Sequence, residues 1–193
     1  MLILGSQSPR RKEILSYFRI PFTVQSSDFN ESTLPLTLPP VDYARLMAEK
    51  KAGVFTLKEN ETVLTADTIV VLGSNILGKP SSLDHAVEML LSLSGTTHEV
   101  ITGVCVRTSR NTISNYASTT VHFAKVSKED AIAYANHFKV LDKAGGYAIQ
   151  EGGGIVVNKI EGCFYNVMGL PLQLTIEMLN RAGIHVWESL QKV

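Results

Sequence analysis

Apolar and polar positions along this chain follow two periods, and the elements can be read from where one gives way to the other. Leu2 to Leu4 is a short apolar run that reads as a buried strand. Ser8-Pro9 after it offers a helix N-cap and a residue suited to the first helical position. The helix so opened runs from Pro9 to about Phe18, with Ile14, Leu15 and Phe18 at helical spacing. A second short strand follows Pro21, and the polar, proline-bearing stretch from Ser26 to Pro40 reads as a long loop, a length uncommon unless the loop has a function. Val41 to Phe55 is an amphipathic helix with Tyr43, Leu46, Met47 and Val54 on one stripe, and Lys50, seven positions after Tyr43, falls on it.

Thr62 to Leu72 is rich in β-branched residues and reads as a central strand with Asp67 near its middle, and Gly73-Ser74-Asn75 turns the chain into Ile76-Leu77. A helix from Ser82 to Leu93 is stopped by Gly95, and Thr97 to Thr108 with Thr112 to Ala124 form a long hairpin around Arg110-Asn111. Ser127 caps a further helix to about Phe138. The segment Gly145 to Gly169 holds 7 of the 14 glycines, which implies tight turns, while Ile155-Val156-Val157 and Ile160 supply strand-like core. Pro171 opens a last helix closed by Gly183. Strands alternate with helices at first and pair as a hairpin in the middle, so the expected fold is α/β, a mixed central sheet flanked by helices. No linker or repeat divides the 193 residues into independent domains.

Charge narrows the classes of partner. With 18 Lys+Arg against 18 Asp+Glu the formal net charge is zero, so the broad basic field that long nucleic acid requires is missing. The longest aliphatic run, Ile69 to Leu72, falls far short of the roughly 20 apolar residues that span a bilayer. The start lacks the basic stretch of a secretory leader, so the expectation is a cytosolic protein without a membrane partner. Cys105 and Cys163 have no CxxC partner and read as free thiols.

Four places carry candidate chemistry. Ser6-x-Ser8-Pro9-Arg10-Arg11, between a strand and a helix, combines a helix N-terminus, two hydroxyls and two guanidinium groups, the parts of a phosphate cradle; an ordinary capped helix with solvated arginines has the same sequence. Asp67 lies in a strand with no strongly polar face and calls for a partner or a metal unless it points to water. Lys50 on an apolar stripe wants an anion, or snorkels along its stem. Lys79 follows Gly78 in an imitation of a P-loop, from which Pro80 removes the magnesium-binding hydroxyl. The five histidines never take zinc-binding spacing, and no GxSxG elbow is present. Cations, hydroxyls and carboxylates such as Glu31, Asp67 and Asp142 remain, the groups of metal-assisted phosphoryl chemistry with Mg²⁺ or Mn²⁺.

Ser6-Gln7-Ser8-Pro9-Arg10-Arg11, Glu49-Lys50, Ala66-Asp67-Thr68, Gly78-Lys79-Pro80, Asp142-Lys143-Ala144-Gly145, Ala148-Ile149-Gln150 and Gly169-Leu170-Pro171-Leu172, in that order, resemble the Maf family of nucleoside triphosphate pyrophosphatases over essentially the whole chain. The resemblance implies a single domain, residues 1–193, of two lobes around a deep cleft, related in architecture to the inosine triphosphate pyrophosphatases, and commonly a homodimer. It implies hydrolysis between the α- and β-phosphates with a divalent cation. Asp67 is similar to the family's proton acceptor, and Asp67 with Glu31 to its metal-binding carboxylates. Lys50 and Lys79 fall among its catalytic cations, and Ser6, Ser8, Arg11 and Lys143 among its phosphate-binding residues. Arg10, Thr68 and Gln150 match the specificity positions of the branch acting on dTTP and UTP, where the 7-methyl-GTP branch carries Trp, Gln and Glu. Gln suits uracil or thymine because its amide both donates and accepts. The rival expectations are a hydrolase of another base and a nucleotide-binding regulator of cell division. Two positions depart from the family pattern: Gly5 stands where Ala is usual, and Lys51 follows Glu49-Lys50 where Ala is commoner.

Overall fold

A computed structural model describes residues 1–35 and 37–191; Leu36, in the expected loop, and the last two positions lie outside the described residues. The strands are β1 (Leu2–Leu4), β2 (Phe22–Val24), β3 (Thr62–Leu72), β4 (Asn75–Leu77), β5 (Thr97–Thr108), β6 (Thr112–Phe123) and β7 (Val157–Glu161). They form a 7-stranded sheet in the order β2-β1-β3-β5-β6-β7, with β4 paired to β3. The sheet is mixed. β1 runs parallel to β2 and β3, placing Leu2 opposite Phe22 and Thr62, whereas β4 pairs antiparallel with β3 and β7 with β6. This is the expected class, a mixed α/β sheet with helices. The helices are α1 (Pro9–Ser16), α2 (Pro40–Gly53), α3 (Leu83–Leu93), α4 (Lys128–His137), α5 (Gly153–Val156), α6 (Phe164–Met168), α7 (Leu172–Arg181) and α8 (Val186–Gln191). None among the described residues is long and apolar enough to cross a membrane.

The chain divides into two compact units: Met1–Asp67, Thr102–Ala117 and Gly169–Val193 form one, and Thr68–Ile101 with Ser118–Met168 the other. In the first, Ile3, Ala48, Ala52, Val63 and Cys105 make a buried cluster with Phe55 and Leu57 against it. α2 lies unusually close to β5 here, because a Cβ at Gly103 would stand 2.1 Å from the Ala44 carbonyl oxygen. In the second, Val70, Leu90, Leu93, Val121, Phe123 and Tyr134 are central to a larger cluster.

Several boundaries differ from the sequence pattern, each for a local reason. α1 stops at Ser16, and Arg19 beyond it takes a positive φ of 53°. A short 3-10 turn, Glu31–Thr33, interrupts the expected loop. Ile155-Val156, apolar enough for a strand, closes the helical turn α5, and the strand begins only at Val157. α6 and α8 were hidden by their brevity, too short to show a period. The largest correction concerns α2. Its buried residues are Tyr43, Ala44, Met47, Ala48, Lys51 and Ala52, while Lys50 and Val54 are exposed. Tyr43 and Met47 of the expected stripe are buried, but the buried face turns toward Ala44, Ala48 and Ala52, because alanines, with little apolar weight, let the backbone approach the sheet over Gly103.

Candidate functional site

In the first unit the site begins where β1 gives way to α1. Gly5 pairs with the neighbouring strand, its N–H donating to the Leu64 carbonyl at 2.8 Å. A Cβ there would lie 2.6 Å from the Thr65 methyl and 3.0 Å from the Phe55 ring, which gives the departure from Ala a packing reason. Ser8 is the N-cap of α1, its hydroxyl accepting from the Arg11 N–H, and Pro9 opens the helix. The Ser6 hydroxyl accepts from the Ser8 N–H at 3.2 Å and from Arg11 Nη1 at 3.3 Å. Arg11 Nε donates to the Gly169 carbonyl at 2.8 Å, so the segment before α7 is tied to the same guanidinium. Burial lowers the Arg11 pKa and the charges of Asp67 and Glu31 oppose that shift, so the cation stands within the field of both carboxylates.

Asp67, on β3, is buried with its strand neighbours on both faces. Its partner is not Lys50 but Lys51, whose Nζ lies 2.7 Å from Asp67 Oδ1 and 2.7 Å from Glu31 Oε1. The Lys51 and Asp67 side chains are only 11% and 12% exposed, while Glu31 reaches in from solvent at 56%. The Tyr43 phenol, also on the buried face of α2, has its pKa raised by burial first and then by Asp67 and Glu31. Lys51 is thus the residue that the helical stripe placed one position early. A signal for it did exist: it stands seven positions after Ala44 and four after Met47, both buried.

The second unit carries the other set. Lys79 is exposed, and its segment is tied to that of Lys143 by a bond from the Gly145 N–H to the Gly78 carbonyl at 3.0 Å. Lys143 is 4% exposed. Its Nζ lies 2.8 Å from Asp142 Oδ1 and 3.4 Å from Glu151 Oε2, and it also donates to the Lys139 carbonyl. Gln150 Nε2 donates to Glu151 Oε1 at 3.2 Å, and its buried Oε1 has no hydrogen-bond donor among the described residues. Glu151, which links the lysine to the amide, left no mark in the sequence beyond following Gln150. Tyr147 anchors the start of this segment, its hydroxyl 2.8 Å from His98 Nε2, and burial pushes His98 down to about 4. Thr68 follows Asp67 directly on β3 and is half-buried, and Arg10 is half-buried on α1.

By unit, Ser6, Ser8, Arg10, Arg11, Glu31 and Asp67 lie in the first, and Thr68, Lys79, Lys143 and Gln150 in the second. Lys50 also belongs to the first unit, where it is exposed on α2. Two carboxylates that converge on one cationic atom form an oxygen donor set suited to Mg²⁺ or Mn²⁺. Among the described residues no group of three or more His, Cys, Asp or Glu side chains is placed to hold a metal ion.

The chain is similar to known proteins over nearly its whole length. The family described as Maf-like protein matches residues 1–182. The dTTP/UTP pyrophosphatase of Chlamydia felis (strain Fe/C-56) is 44% identical over 98% of this chain and 97% of its own. That of Anaeromyxobacter dehalogenans (strain 2CP-C) is 43% identical over 97% of each. Among solved structures, the Ham1 protein of Staphylococcus aureus aligns with a TM-score of 0.44 and 17% identity over 79% of this chain and 88% of that one.

Proposed function

The chain belongs to the family of Maf-like proteins, and from that premise we propose that it is a nucleoside triphosphate pyrophosphatase that hydrolyses dTTP and UTP to the monophosphate and pyrophosphate. The observation that carries this reading is the convergence of Asp67 and Glu31 on one cationic centre, within the field of Arg11. Asp67 takes the proton of the attacking water as the water oxygen bonds to the α-phosphorus. The bond from that phosphorus to the bridging α–β oxygen breaks, pyrophosphate leaves, and the proton passes on to solvent. Lys51 holds Asp67 Oδ1 in place during this step. A divalent cation, Mg²⁺ or Mn²⁺, held by Asp67 and Glu31 supplies Lewis-acid polarisation of the phosphate oxygens when bound. Ser6, Ser8, Arg11, Lys79 and Lys143 offset the charge of the triphosphate. Arg10, Thr68 and Gln150 hold the base, the Gln150 amide meeting the adjacent O4 acceptor and N3–H donor of uracil or thymine.

The proposal extends, on the family resemblance, to one two-lobed domain acting as a homodimer in the cytoplasm. The balanced charge supports a small triphosphate ligand over long nucleic acid. The test is a panel of nucleoside triphosphates with Mg²⁺ and Mn²⁺, scored for pyrophosphate against orthophosphate. Pyrophosphate release fastest from dTTP and UTP is expected. Binding of dTTP without turnover under any metal would overturn the reading in favour of a nucleotide-binding regulator, and a preference for 7-methyl-GTP would move the chain to the other branch.

A further inference from the structure

Lys51 lies in the last turn of α2, where a helix frays most readily because its final carbonyls lack intrahelical donors. Many helices close that end with a left-handed glycine. This one does not: Gly53 has no positive φ, and Val54 after it stays right-handed at φ −77°. The Ala52 carbonyl accepts from the Phe55 N–H at 3.3 Å, and the remaining donors come from other elements. Arg107, on β5, directs Nη1 at the Ala52 carbonyl (2.9 Å) and at the Phe55 carbonyl (2.8 Å), bridging the end of the helix and the chain that leaves it. Ser27 donates to the Lys51 carbonyl at 3.3 Å. One turn earlier, Thr65 donates to the Ala48 carbonyl at 2.6 Å in the buried interior. A cation at a helix C-terminus also opposes the negative end of the dipole. All these groups belong to the first unit.

We propose that Arg107 is a positioning residue: by closing the C-terminal end of α2 it holds the Lys51 ammonium on Asp67 and Glu31, and turnover depends on it although its bonds to the helix end run to backbone carbonyls. This rests on the reading that the Lys51–Asp67 pair acts in catalysis. Its consequence is a division of roles between two arginines on the same structural frame. Arg45, near the start of α2, pairs with Asp42 and Glu49 and stabilises the helix surface. Arg107 determines where the end of that helix, and so the lysine, comes to rest.

The experiment compares Arg107→Ala, Arg107→Lys, Arg45→Ala and Lys51→Ala in the full chain with dTTP, below the melting temperature of each. Arg107→Ala is expected to lower kcat by about 10- to 100-fold with KM within about twofold, because a small displacement of a catalytic pair is costly. Arg107→Lys should recover part of the loss, since one ammonium still reaches a carbonyl, and Arg45→Ala should leave kcat within about twofold. A second readout is acylation of Lys51 by an amine-reactive ester, followed by peptide mapping. Lys51 is expected to resist labelling in the wild type and to become reactive in Arg107→Ala. A melting temperature lowered with kcat and labelling unchanged would overturn the proposal. Near-normal activity of Lys51→Ala would instead overturn the underlying reading of the pair.

Discussion

Each unit of the molecule buries one lysine against two carboxylates, and the two clusters solve the same electrostatic problem differently. Lys51 has as partners Asp67, itself buried, and Glu31, which is exposed; Lys143 has Asp142 and Glu151, both in contact with water at 56% and 45% exposure. Ionised groups withdrawn from water must be stabilised by their neighbours. In the first unit that applies to both members of the Lys51–Asp67 pair. In the second it applies to the lysine alone, which has a backbone carbonyl as well. Reciprocal burial makes the first cluster hard to alter without consequence, and suits a carboxylate that must meet a water at one defined place. A buried cation with solvated counterions suits a group whose partners yield to an incoming phosphate.

That contrast can be broken most decisively at the carboxylates. Asp67→Asn is expected to lower pyrophosphate release by about 10³-fold, the scale of a lost proton acceptor, while Asp142→Asn changes it by less than about threefold. Equal losses in the two variants, measured under one set of conditions with dTTP, would remove the distinction. At the lysines the difference moves to stability. Lys51→Met leaves Asp67 buried without its cation and should cost about 3–5 kcal/mol in urea unfolding. Lys143→Met leaves its carboxylates in water, so loss of the ion pairs should cost about 1 kcal/mol or less, with a raised KM as its main effect.

A further contrast separates a buried charge from a buried neutral group. His98 sits in the second unit with its pKa lowered from 6.5 to about 4 by burial. Its folded value is below its unfolded one, so the unfolded chain binds more protons between those limits. The stabilisation is complete above pH 6.5 and is lost as the pH falls through about 4, a drop of about 3 kcal/mol. His98→Gln should flatten that part of a stability-against-pH curve. An unchanged slope would place the acid sensitivity elsewhere.

Legibility in the sequence followed the strength of local signals. Ser8-Pro9 announced the start of α1, and the β-branched run around Asp67 announced a strand buried on both faces. The stripe on α2 holds at Tyr43 and Met47, which are buried, and fails at Lys50 and Val54, which are exposed, since the face that meets the sheet also runs through Ala44, Ala48 and Ala52. Close approach is a property of the pair of surfaces, and Gly103, far along the chain, is half of it. Glu151 and Arg107 were invisible for a related reason. Their roles depend on groups reached only after the chain has turned back, and nothing in the residues beside them records it.

The sequence by itself determined the types of the longer elements, the absence of a broad basic field, and the motifs that mark the family, because periodicity, charge and short-range capping are local or additive. Tertiary structure alone decided which lysine meets Asp67, that Glu31 joins it, and that Arg107 closes the helix carrying that lysine. A helix rotation of 100° per residue turns a one-residue ambiguity into the difference between solvent and a buried ion pair, and only packing against a second surface resolves it.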